Sequence, residues 1–193
     1  MKESRNVFHA HGFGRVAPWV DLANSEEWDG FGRLTDYMGN PSWVRSFLAH
    51  WKLVPSSKKN PPRSKLLELR GVLRRTAEKL GAGQPPRPGD VAKLNHSLNV
   101  PVRQMLVQNQ NGLRSELIPL RKDWGWVIAR IAASLGEMLV NREAERIKIC
   151  ANSGCHWIFY DPTKARIKRW CNGKTCGNRA RVRRARAAQK RNA

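Results

Sequence analysis

Apolar positions along the chain recur at helical spacing over most of its length and alternate in one stretch, with proline- and glycine-rich breaks between. Residues 18–28 open on a proline and carry Trp19, Leu22, Glu26 and Glu27, which predicts a short helix stopped by Asp29 and Gly30. Asn40 and Pro41 supply a cap and a first-turn proline for a helix to about Trp51. Its Trp43, Phe47 and Trp51 recur every fourth residue and form one stripe that core packing explains. After a polar loop at 55–62, residues 63–80 read as an amphipathic helix. Leu66, Leu69, Val72, Leu73 and Leu80 face inward there, and Lys65, Arg74, Arg75 and Lys79 face outward. A second break at 81–88 precedes a short helix, capped by Asp90 and running to Leu98, with Val91 and Leu94 on its apolar side. The period then changes to two. Residues 100–110 and 113–120 flank Asn111 and Gly112, a favoured hairpin turn, and predict two antiparallel strands. Asp123 caps a long helix at 124–145, with Trp126, Ile131, Leu135, Met138 and Leu139 available for burial. Residues 142–149 contain no Pro, Gly or Ser, so this helix is expected to run almost directly into the cysteine-bearing C-terminal part.

That C-terminal part is organised by Cys150, Cys155, Cys171 and Cys176, the chain's only cysteines, spaced C-x4-C-x15-C-x4-C. Two close pairs across a short span bring four thiolates to one tetrahedral Zn2+, and paired spacing without a secretory leader favours metal over disulfides. One structural zinc is the expected cofactor, because four thiolates leave no open position for zinc-bound water. His156 comes directly after Cys155 and could replace one of them. Residues 156–160 alternate as a short strand and end at the turn signal Asp161-Pro162, and residues 180–191 are rich in helix formers. The implied order is knuckle, hairpin, second knuckle, basic helix, a treble-clef-like finger. Gly177 is expected to turn peptide N–H groups towards the metal-bound sulfur, and Asn178 to cap the last helix. Trp157, Phe159, Tyr160 and Trp170 form the finger's small core, with stacking of Trp170 on a base as the functional alternative. The fold class is therefore α+β: a mainly helical N-terminal domain with a small β-hairpin at 1–141, then a zinc finger with a basic C-terminal helix at 142–193.

Charge adds a partner. The chain carries 36 Lys and Arg against 15 Asp and Glu, a formal net charge of +21. Twelve of those cations and no acidic residue lie between Lys164 and the C-terminus, the electrostatic footprint of a nucleic-acid binder. Candidate contacts are Lys164, Arg166, Lys168 and Arg169 before the second knuckle and Arg179, Arg183, Arg186 and Lys190 along one stripe of the last helix. A helix basic nearly all round favours phosphate contact over direct base reading. Val182 and alanines give it nothing to insert into a lipid interface, and no stretch is apolar enough for a membrane span, so a cytoplasmic location is expected. His9 and His11 could bind a metal but have no partner cluster.

The residues also carry a family resemblance. Cys171-Asn-Gly-Lys-Thr-Cys-Gly-Asn-Arg179, with Cys150-Ala-Asn-Ser-Gly-Cys155 and Trp157-Ile-Phe-Tyr-Asp161 upstream, resembles the CGNR zinc finger of bacterial proteins. Residues 21–25 (Asp-Leu-Ala-Asn-Ser), 29–32 (Asp-Gly-Phe-Gly) and 43–48 (Trp-Val-Arg-Ser-Phe-Leu) are similar to the ABATE domain that precedes this finger. The resemblance implies a stress-linked transcription regulator. Three function classes stay open: a double-stranded DNA binder whose N-terminal domain is a sensor or a homodimer platform, an RNA- or ribosome-binding zinc protein, and an enzyme or small-molecule binder with an unrecognised N-terminal pocket. No spacing among Asp21, Glu26, Asp29, His50 and His96 forms a catalytic motif, so an enzyme is not expected, while a small-molecule effector stays compatible with the first class.

Overall fold

A computed structural model describes residues 13–14, 16–110 and 112–191; His9, His11 and Asn111 lie outside them. The first helix, α1 (Pro18–Ala23), is shorter than the expected 18–28. Glu26–Trp28 instead forms strand β1, paired antiparallel with β2 (Leu34–Asp36). The side chain of Asp29 decides this. Its Oδ1 accepts the N–H groups of Phe31 at 2.7 Å and Arg33 at 3.2 Å, closing a tight turn in which Gly30 and Gly32 take φ of +84° and +94°. A signal read as a helix stop is thus a hairpin turn.

Helix α2 (Pro41–His50) is capped as expected, with Asn40 Oδ1 accepting the Ser42 N–H at 3.0 Å. Trp43 and Phe47 are buried with rings stacked 5.3 Å apart, and Trp51 is half-buried, its indole donating to Asp21 at 2.8 Å. Helix α3 (Arg63–Gly81) lays Leu66, Leu69, Val72 and Leu73 on the core, with Leu80 half-buried. Its polar face is less simple than the pattern implies. Arg70 is buried and forks onto Asp36, with Nη1 and Nη2 at 2.7 and 3.1 Å from the two carboxylate oxygens, and Glu26 lies 3.5 Å away. Burial works against ionisation of Asp36, but the Arg70 pair and the Met38 N–H outweigh it and hold the carboxyl below the ordinary Asp value. Arg74 is turned to the Ala23 carbonyl at 2.9 Å, so it is not simply an outward cation. Asp90 does not cap α4 (Pro88–Leu98); it sits buried inside the first turn and pairs with Arg75 at 2.7 Å, because Pro88 already occupies the first-turn position.

Strands β3 (Val102–Asn109) and β4 (Gly112–Pro119) form the expected hairpin. Their register puts Val102, Gln104, Leu106 and Gln108 on one face opposite Pro119, Leu117, Ser115 and Leu113, an uncharged face. Leu106, Leu113 and Leu117 on it are all exposed. Helix α5 (Trp124–Val140) is capped by Asp123, whose carboxylate accepts the Trp126 N–H at 3.1 Å. It stops at Val140 rather than near Glu145, and a 3-10 turn at Ala144–Arg146 leads into β5 (Ile147–Ile149). The continuous helix expected to join the two parts is therefore absent. A shared core joins them instead: Ile147 of β5 and Ile158 of its antiparallel partner β6 (Ile158–Tyr160) pack in the same buried cluster as Trp19, Leu73 and Leu135. The last helix is α6 (Asn178–Arg191), which has no buried residue.

Candidate metal centre and nucleic-acid interface

Strands β5 and β6 flank the first knuckle, so the finger's hairpin encloses Cys150 and Cys155 and does not lie between the two knuckles as the spacing suggested. Local hydrogen bonds shape the knuckle: the Cys150 N–H donates to the Trp157 carbonyl and the Cys155 N–H to the Asn152 carbonyl, each at 2.9 Å. On the second knuckle Asn172 Oδ1 accepts the N–H groups of Lys174 at 2.8 Å and Thr175 at 3.2 Å. It initiates a single wide π-turn at Gly173–Gly177 that presents Cys176 and continues into α6. Asn172, in a loop segment without any periodic pattern, thus takes the capping role expected of Asn178, which already has helical φ and ψ of −64° and −45°. The Gly177 N–H itself donates to the Asn172 carbonyl at 3.0 Å and closes the wide turn.

The four cysteine sulfurs lie within 4.8 Å of one another. Their separations suit a tetrahedron: Cys155 and Cys171 Sγ are 3.7 Å apart and Cys171 and Cys176 Sγ 3.8 Å. A regular zinc–thiolate tetrahedron with bonds of about 2.3 Å has edges of about 3.8 Å, whereas a disulfide would bring two sulfurs to about 2 Å. All four cysteines are free. Their protonation points the same way. Hydrogen bonds from Cys155 and Cys171 pull the Cys150 thiol well down, while Cys150 pushes Cys155 up and Cys171 is pushed up by Cys150 and Cys155. Sulfurs this close cannot all carry charge unless a cation sits among them. The donor set therefore fits a soft divalent metal ion. His156 is outside the set, exposed and edge-on to Trp28 at 5.4 Å between ring centroids.

Around this centre one residue that spacing could not single out makes the connections. Asn152 is fully buried; its Nδ2 lies 3.5 Å from Cys176 Sγ and 3.2 Å from the Gly30 carbonyl, and its Oδ1 accepts from Arg183 at 2.8 Å. Arg179 donates to the Asp29 carbonyl at 2.9 Å and covers the Phe31 ring at 4.2 Å. The turn at 29–33 is thereby clamped between knuckle and helix. Gly30 and Gly154 permit the close approach: a Cβ on Gly30 would fall 1.9 Å from Arg179 Nη1, and one on Gly154 2.9 Å from the Gly30 carbonyl oxygen. The first half of the anticipated arginine stripe, Arg179 and Arg183, is thus turned towards the body of the protein.

The other candidate contacts are spread around the helix and the preceding loop. Lys164, Arg166, Lys168 and Arg169 are exposed on that loop, where Arg166 pairs with Glu145 and the Arg169 guanidinium sits 5.5 Å from the Trp170 ring centre. Arg186 and Lys190 are exposed on α6. Arg181 and Arg184 are exposed as well; Arg181 lies beside Lys168, Lys174 and Asn178 on one flank, and Arg184 beside Arg169, Trp170 and Ala180 on the other. No helix among the described residues is long and apolar enough to cross a membrane.

Comparison with known families agrees with this architecture. Residues 16–142 match the ABATE family, described as "Putative stress-induced transcription regulator", and residues 146–189 match the CGNR zinc finger. No curated protein matches the sequence. With two thirds of its length covered by the first of these matches and the four-sulfur knuckles by the second, the chain belongs to the ABATE family and carries a CGNR zinc finger C-terminal to that domain.

Proposed function

We propose that the protein is a cytoplasmic DNA-binding transcription regulator in which one structural Zn2+, held by Cys150, Cys155, Cys171 and Cys176, seats a reading helix. The observation that carries this reading is α6 itself. It buries nothing, it is basic nearly all round, and it projects from a four-sulfur centre that fixes its first turn. Its role lies outside the protein's own core. When bound, the metal supplies structure rather than chemistry, since four sulfurs leave no open position, and no enzymatic role is assigned. Arg179 and Arg183 hold the helix down, while Arg181, Arg184, Arg186 and Lys190 remain for duplex phosphates and bases.

Random-library selection with the zinc-loaded protein, offering duplex DNA and structured RNA at one salt concentration, tests the reading. Convergence on a duplex motif is expected; enrichment of RNA alone would overturn it in favour of an RNA-binding zinc protein. Within the duplex complex, Arg181→Ala should leave zinc content unchanged and lower the magnitude of the salt slope by about one. An unchanged slope would place Arg181 outside the phosphate contacts.

The N-terminal domain serves as a platform for a second copy in the same reading. The uncharged face of β3 and β4 supports this, because on a chain of +21 it lets two copies meet without opposing cations. Concentration-dependent association in analytical ultracentrifugation, abolished by Leu106→Gln with Leu117→Gln, is expected. A wild-type monomer at every concentration would remove the dimer from the reading.

A further inference from the structure

The seam between the N-terminal domain and the finger holds an open groove of about 490 Å³ that the reading helix does not use. One wall is the C-terminal end of α3, with Glu78, Gly81 and Ala82; the other is the loop before the second knuckle. Lys148, Arg166, Lys168 and Arg169 all line it, against the single carboxylate of Glu78. Arg166 is paired with Glu145, whereas among the described residues the ammonium groups of Lys148 and Lys168 make no ion pair within 4 Å, and the Lys168 charge acts on Asp161 from farther off. The lining also has apolar side chains, Ile149 and the 76% exposed Ile167.

This loop is built, not slack. The fully buried carboxylate of Asp161 accepts the Thr163 N–H and hydroxyl at 2.9 and 2.6 Å on one oxygen and the Lys168 N–H at 2.8 Å on the other. Burial opposes its ionisation, yet those hydrogen bonds keep its pKa below the ordinary value. Arg166 is held at φ +52°, a left-handed backbone that a non-glycine residue adopts at a cost. The backbone that carries Lys168 and Arg169 is therefore fixed before any ligand arrives, which leaves only side-chain ordering to the binding step.

We propose that this groove binds a phosphorylated small molecule with an aromatic or apolar body, of nucleoside-diphosphate size, its phosphates on Lys148, Lys168 and Arg169 and its body against Ile149 and Ile167. The groove's volume lies in the range of small-molecule sites, and its combination of cations with aliphatic side chains matches such an amphipathic anion. Arg169 also lines the cleft between Trp170 and α6. Occupancy therefore competes for a cation on the nucleic-acid face and lowers nucleic-acid affinity, a regulatory consequence that rests on the function proposed above.

The test is calorimetric titration of the zinc-loaded full chain with ADP and with pyrophosphate, without nucleic acid, at about physiological ionic strength. ADP should bind more tightly than pyrophosphate. Lys148→Ala should weaken both by about tenfold, and Ile167→Ala should weaken ADP alone. Zinc content and melting temperature, checked for each variant, identify loss of folding, and exposed Ile167 provides a second variant remote from the core. No ADP binding, or binding indifferent to both substitutions, overturns the site. The same phosphate chemistry could come from a nucleic-acid backbone; in that case Lys148→Ala lowers the duplex salt slope by about one, and the small-molecule assignment falls. Because the titration contains no nucleic acid, it can fail while duplex binding stands, and the reverse.

Discussion

Chelating the metal, or replacing one sulfur in Cys171→Ala, is expected to unfold the knuckles and α6 while β5 and β6 stay folded. The small cluster of Cys150, Cys155 and Cys176, with Trp157, Trp170 and Cys171 against it, is the second knuckle's only core among the described residues. Metal binding of about 10–16 kcal/mol, typical of zinc peptides, outweighs anything so small a cluster contributes. Helix α6 buries no residue, and an isolated 14-residue helix is marginal in water. Ile147 and Ile158, by contrast, belong to the large core of the N-terminal domain. Hydrogen exchange after chelation should therefore show lost protection at Cys155 and Gly177 and retained protection at Ile158. Coincident loss at all three would mean that the finger melts as one unit. Retained zinc stoichiometry in Cys171→Ala would remove Cys171 from the ligand set.

The second large effect is expected at Asn24. This fully buried side chain imitates a strand: Nδ2 donates to the Ile158 carbonyl at 2.8 Å and Oδ1 accepts the Ile158 N–H at 2.9 Å. Asn24→Ala would strand two buried backbone groups, and at about 1–3 kcal/mol each the loss should total about 2–6 kcal/mol. Asn24→Asp would keep the acceptor but lose the donor and bury a charge, so it should not rescue. Urea denaturation reads the loss directly. A change below about 0.5 kcal/mol, the range of an ordinary surface substitution, would show that the Asn24–Ile158 pair holds nothing together. Loss of this pair should also loosen the finger, because β6 leads out of the first knuckle.

These two positions mark how far the sequence could be read. The cysteine spacing led to the metal centre because four thiolates at paired spacing have few other uses in one site, and the sulfur separations agree with that reading. Helix stripes at 41–51 and 63–80, the caps Asn40 and Asp123 and the alternating strands around Gly112 were legible for a similar reason: each is settled by neighbours within a few residues. Errors gathered at element ends. The first helix stops at Ala23 because Asn24 and Ser25 are engaged elsewhere, Asn24 with Ile158 and Ser25 with Arg70. The helix before the finger stops at Val140, where Asn141 is the C-cap and Arg142 takes a left-handed φ of +57°; a lone Asn is a weaker stop signal than Gly, and the apolar pattern runs past it.

Periodicity also assigned Arg179 and Arg183 to an outer stripe. A wheel gives the angle between two residues but not which way the helix faces, and α6 is oriented by Asp29, 150 residues before Arg179. On its own, then, the sequence determined the clustering of the four cysteines, the basic character of the last helix, the main helices and the α+β class, since these depend on local spacing and composition. Only the tertiary structure decided which cations are clamps and which are free, how Asn24, Arg70 and Asn152 tie distant segments together, and where the seam groove opens. Those properties depend on groups brought together from across the chain, whose partners leave no periodic trace in the sequence.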